Sequence, residues 1–97
     1  VSYEKIVEKI AHNPAIIFKV NNRGFLREGY YADIVLIDTN TPTHVTKESL
    51  LYKCRWSPFE GQKFDNSIYK TILNGNVVYE NGKVNSIPYG KKITFNR

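Results

Sequence analysis

The sequence has no methionine, one cysteine and two histidines, and each scarcity removes a class of chemistry. A lone thiol, Cys54, cannot close an intramolecular disulfide, so no disulfide framework staples this chain, and its composition suits a reducing compartment. Metal sites need several His, Cys, Asp or Glu side chains converging at suitable spacing, whereas His12 and His44 lie far apart in the chain. Neither GxGxxG nor GxxxxGK[ST] occurs, so Gly24, Gly29 and Gly61 make no phosphate loop. No apolar run approaches the ~18 residues of a membrane span, and nothing resembles a signal peptide, so a cytoplasmic location and no membrane partner are expected. The chain opens at Val1 directly on a helix signal, the look of a piece excised from a longer protein or of a processed terminus.

What is present fits one small folded domain. Ninety-seven residues can bury a single core, and the seven tyrosines and five phenylalanines fit a chain rich in β-structure. The net charge of +5 raises nucleic-acid binding, but the tight basic groupings are only Lys53 with Arg55 and Lys91 with Lys92. Neither resembles a nucleic-acid motif, so solvated surface charge is the expectation and no nucleic-acid partner is assigned.

Ser2 can cap a helix in which Tyr3, Ile6, Val7 and Ile10 form one apolar stripe opposite Glu4, Lys5, Glu8 and Lys9. Asn13-Pro14 is expected to end it and to start a second helix over 15–20, with Asn13 as cap and Pro14 in the first turn. Residues 21–24 read as a turn, 25–27 as a short strand and Glu28-Gly29 as another turn. The run 34–37 is four branched aliphatics, which predicts a central strand buried on both faces. A short edge strand at 44–46, a helical turn at 47–51 and a packed irregular loop at 52–61 follow. The plainest hairpin is 68–73, Asn74-Gly75, 76–80, because both central positions of a type I′ turn need positive φ. Asn81-Gly82 repeats the punctuation, Lys83 and Val84 extend the meander, 88–90 is a turn, and 92–95 closes as a strand. The expected fold is α+β and mainly β, a small β-sandwich or rolled barrel preceded by an amphipathic helix.

Chemistry-bearing residues are few. His12, His44 and Cys54 are the conceivable metal set, but His12 suits a helix C-terminus, His44 follows a loop proline, and a buried structural thiol is the commoner state of a lone cysteine such as Cys54. Basic neighbours Lys53 and Arg55 would activate Cys54 if it were exposed. Asp33 and Asp38 raise acid/base work, yet five extended residues hold them ~16 Å apart, too far for one bond. Asp33 reads as a turn or backbone-bonding residue and Asp38 as a strand terminator. Trp56 and Phe59 read as core, or as a contact patch with Lys53 and Arg55 on a protein-binding module.

Taken in order, Asn13-Pro14-Ala15, Gly24-Phe25-Leu26, Ala32-Asp33-Ile34-Val35-Leu36-Ile37-Asp38, Ser57-Pro58-Phe59-Glu60-Gly61 and the hairpin around Asn74-Gly75 resemble the end of a metal-dependent amidohydrolase of the cyclic-amidase branch. Within that branch, 53–61 and the closing 92–97 are most similar to dihydroorotase, with allantoinase and hydantoinase as near relatives. The resemblance implies a parent with a TIM-like barrel and a β-sandwich built from both chain ends. It also implies zinc held on the barrel by a His-x-His pair, a carboxylated lysine, two further histidines and an aspartate. This sequence has no His-x-His, so no catalytic, metal-binding or cofactor-binding role passes to any residue here.

The division implied is 1–23 as a late barrel helix with its crossover, and 24–97 as the C-terminal part of the sandwich. The resemblance thus implies an inactive scaffold fragment of an enzyme that hydrolyses dihydroorotate in pyrimidine biosynthesis. Its implied partners are the parent's barrel and N-terminal strands, and an unpartnered helix stripe or strand edge predicts a homo-oligomer.

Overall fold

The computed structural model describes residues 2–85 and 87–96. Val1 and Arg97, which belong to the opening and closing stretches singled out above, lie outside the described residues.

The chain begins with a helix capped by Ser2, whose hydroxyl accepts the Lys5 N–H at 3.2 Å. Helix α1 (Tyr3–Val7) runs through one widened turn (Glu8–His12) into α2 (Asn13–Ile17). This corrects the expected break at Asn13-Pro14. Asn13 has helical angles, φ −62° and ψ −45°, so it is not a cap, and its N–H reaches back five residues to the Glu8 carbonyl. A proline ring inside a regular helix collides with the carbonyl four residues back, and widening the preceding turn relieves that collision. The helix stops at Ile17, short of the expected 20: Phe18 leaves the helical region and Lys19 turns left-handed at φ 55°. Val20 then forms an isolated bridge with Phe95, all that appears of the strand expected at 92–95.

Gly24 lies against the helix. At φ +89° it adopts a backbone that side chains disfavour, and a Cβ there would sit 2.5 Å from the Ala15 Cβ and 2.9 Å from the Ala11 carbonyl oxygen. Ala15, 8% exposed, is correspondingly the buried apolar residue among those described. The strand expected at 25–27 does not form. Phe25 instead stacks on His12 with ring centroids 4.2 Å apart, so the segment is held by its side chain and not by a ladder.

Six strands follow among the described residues, all antiparallel. One sheet has the order β1-β4-β5-β6, from β1 (Ile34–Asp38), β4 (Ser67–Leu73), β5 (Asn76–Glu80) and β6 (Lys83–Val84). A second pairs β2 (Thr43–His44) with β3 (Lys63–Phe64). The α+β, mainly β reading therefore holds. The β4–β5 and β5–β6 turns carry Asn74 at φ 50° with Gly75 at 82°, and Asn81 at 47° with Gly82 at 88°, the double positive φ that Asn-Gly predicts. Lys70 faces Glu80 across β4 and β5 with an ion pair at 3.4 Å.

The placement of β1 overturns its reading as a central, doubly buried strand. Among the described residues it forms the edge of its sheet, paired only with β4, and Val35 is 52% exposed with Leu36 and Ile37 comparably open. Aliphatic residues on both faces mark a strand suited to two neighbours and two cover layers, and this chain supplies one neighbour. The Cα radius of gyration, 15.4 Å, exceeds the ~12.5 Å expected of a compact chain this long, consistent with so open a core.

Candidate functional site

A polar constellation gathers where the loop after the helix meets the β4–β5 turn. Asp33, just before β1, accepts the Asn74 main-chain N–H on Oδ1 at 2.9 Å, while its Oδ2 pairs with Arg23 Nη1. The Gly75 N–H adds a bond to the Ala32 carbonyl at 3.0 Å. Asn74 completes the clasp with its side chain: its Oδ1 accepts from Arg23 Nη1 at 3.3 Å and its Nδ2 donates to the Tyr89 carbonyl at 2.5 Å. Arg23 also stacks on Tyr31, 4.2 Å to the ring centroid, and Lys91 approaches the same ring at 5.6 Å. The Arg23 side chain is 11% exposed, and its Nη2 is buried with no hydrogen-bond partner.

These contacts do structural work. One carboxylate, one guanidinium and one amide tie the connection between α2 and β1 and the segment around Tyr89 to the hairpin. Asp33 thus has the backbone-bonding role read for it. Asp38 ends β1 as expected: its Oδ1 accepts the Asn40 N–H and its Oδ2 accepts the Thr41 hydroxyl, both at 2.8 Å. Those donors, Asn40 first, stabilise the charged carboxylate and hold its pKa below the ordinary aspartate value. Pro88-Tyr89-Gly90 forms no hydrogen-bonded turn; its contribution is the Tyr89 carbonyl.

Sequence reasoning passed over Arg23 and saw only a turn residue in Asn74. Nothing local marks Arg23, since its partners lie ten and fifty-one positions away.

The remaining singled-out residues stay apart. His12 is inside the helix, not at its C-terminus, because the helix continues past Asn13. His44 ends β2 opposite Lys63. Cys54 is exposed, on an irregular loop where Arg55 has φ 52°. Among the described residues no three His, Cys, Asp or Glu side chains converge, so the zinc implied by resemblance has no fitting ligand set there.

The 52–61 loop is irregular but not packed, and Trp56 is 65% exposed rather than core. The Tyr52 hydroxyl donates to the Trp56 carbonyl at 2.5 Å, which shapes the loop without covering the indole. Phe59 makes an edge-on contact with Phe64, yet stays about half exposed. The helix stripe is open too, with Ile10 72% exposed. Among the described residues no helix is long and apolar enough to cross a membrane.

The Amidohydrolase family profile matches residues 1–78. An allantoinase from Desulfitobacterium hafniense is 38% identical over 89 residues, 92% of this chain and 20% of its own length. A dihydroorotase from Pyrococcus horikoshii is 38% identical over 91% of this chain and 21% of its own, and one from Endomicrobium trichonymphae is 40% identical over 81% and 19%. Among solved structures, the L-hydantoinase (dihydropyrimidinase) of Arthrobacter aurescens matches with a TM-score of 0.75 and 30% identity, covering 87% of this chain and 19% of that one. The chain spans about a fifth of the length of these relatives.

Proposed function

Because this chain belongs to the Amidohydrolase family, we propose that it is the C-terminal structural share of a cyclic amide hydrolase, with dihydroorotate as the parent's substrate. The observation that carries this reading is the alignment of nine tenths of the chain with about a fifth of a dihydroorotase. In this reading 1–23 is a late barrel helix with its crossover and 24–97 is the terminal part of the β-domain. The parent's zinc and catalytic groups belong to the barrel, and the fragment is a scaffold without turnover of its own. The edge position of β1 and the open Tyr3, Ile6, Val7 and Ile10 stripe support a role in covering other structure.

The equal identity to an allantoinase favours a second reading, in which the parent opens a different cyclic amide. The exposed Trp56 and Phe59 favour a third, an independent protein-binding module.

The test is direct: zinc content and dihydroorotate hydrolysis of the 97-residue chain. Neither stoichiometric zinc nor turnover is expected, and finding either overturns the scaffold reading. An upstream reading frame of barrel length with a His-x-His pair decides for the amidohydrolase parent; a start codon at this boundary favours the module. Assays of that parent with dihydroorotate, allantoin and hydantoin separate the substrates.

A further inference from the structure

A cleft of 390 Å³ opens between the end of α2 and the loop that follows it. Lys19, Arg23 and Arg27 line it together with the donors Asn21, Asn22 and Tyr30, and among the described residues no carboxylate side chain does. Arg23 is balanced by Asp33, whereas neither Lys19 nor Arg27 has an acidic partner among the described residues. The cleft thus presents two uncompensated positive charges. Arg23 is also on its wall, its Nη1 held by Asp33 and Asn74. We propose that this cleft binds a phosphate-class dianion.

The geometry is arranged before any ligand arrives. The Arg27 guanidinium lies over the Phe25 ring at 3.9 Å and 5.7 Å from the Tyr30 ring centroid, which fixes its plane. The Tyr30 N–H bonds to the Arg27 carbonyl at 3.1 Å and the Tyr31 N–H to the Asn22 carbonyl at 2.9 Å, closing the loop on itself. Asn21 and Asn96 lock it to the final segment through the Thr94 and Lys19 carbonyls, at 2.9 and 2.8 Å. Carbonyls at a helix end repel anions, but here those of Pro14, Ala15 and Ile16 are capped by the N–H groups of Phe18, Val20 and Lys19. Planar guanidinium forks match the oxygens of a phosphate, and a pair of net charges matches its dianionic form better than a monocarboxylate.

The test titrates inorganic phosphate into the 97-residue chain at low salt, following backbone amide shifts. A saturable response centred on 19–30 and weakened by added salt is expected. Lys19→Gln and Arg27→Gln each weaken binding about tenfold, the loss of one charge-assisted contact. Lys70→Gln, whose partner is Glu80, leaves it unchanged, and circular dichroism verifies that each variant is folded. Three results overturn the proposal: no saturable shift in 19–30, unaltered affinity in both cleft variants, or an equal response at Lys53, Lys91 and Lys92. Acetate binding as tightly as phosphate overturns the dianion assignment.

Discussion

Asp33 and Asn74, forty-one positions apart, are joined by a 2.9 Å bond from the Asn74 main-chain N–H to the Asp33 carboxylate. That bond secures the start of β1 to the tip of the β4–β5 hairpin, and Arg23 closes over it.

Asp33→Ala removes the acceptor for Asn74 and leaves the Arg23 guanidinium unpaired in a largely buried position. A loss of about 1–3 kcal/mol is expected, because Asp33 remains partly open to solvent. Asp33→Asn keeps an acceptor and loses less. Urea unfolding of the two variants measures the difference, and equal losses contradict the charge pairing.

Gly24→Ala and Gly29→Ala form a matched pair. Both positions have φ above +80°, which costs an alanine about 1–2 kcal/mol. Gly29 has open space around it, whereas a Cβ at Gly24 overlaps Ala15 and the Ala11 carbonyl. Gly24→Ala is therefore the more destabilising of the two, and thermal melts that rank them the other way contradict the helix contact.

Asp38 links stability to pH. Its folded pKa lies below the unfolded value, so between the two the folded chain binds fewer protons and stability rises with pH. The contribution is complete above ~pH 4–5, the upper side of an ordinary aspartate titration, and is lost as pH falls through the lowered value. Asp38→Asn flattens that acid slope while leaving the neutral-pH profile parallel to the unaltered chain. Denaturation midpoints collected from pH 5 downward check this.

We propose self-association through the helix stripe or the open edge of β1. Ile10→Lys, which places a charge in the stripe, shifts sedimentation towards monomer if the helix face carries the contact. A lysine at Val35 does so if the strand edge carries it. A strict monomer at high concentration in the unaltered chain contradicts both.

The hairpins were legible because Asn74-Gly75 and Asn81-Gly82 fix their own backbone angles, a local property. So was the cap at Ser2. The course of β1 was not, because four aliphatics report how a strand is meant to be covered and not whether the covering is present. Pro14 misled for a related reason: local sterics predict a break, and a wider turn is a second way to satisfy them. Arg23 lay beyond reach, since its meaning rests on Asp33 and Asn74 arriving from elsewhere in the chain.

The widened turn before Pro14 also changes the phase of the helix. Closing a turn five residues back instead of four accommodates one additional residue, which rotates everything after it by ~100°. It is this rotation that brings the small Ala15 to face Gly24. Regular winding over the same residues would swing a neighbour of Ala15 into that position, where the backbone leaves no room. Deleting one residue between Glu8 and His12, by contrast, would restore regular winding and keep Ala15 facing Gly24. The heptad-like stripe on α1 and the contact face of α2 are thus two registers on one rod, set by a miscount of one.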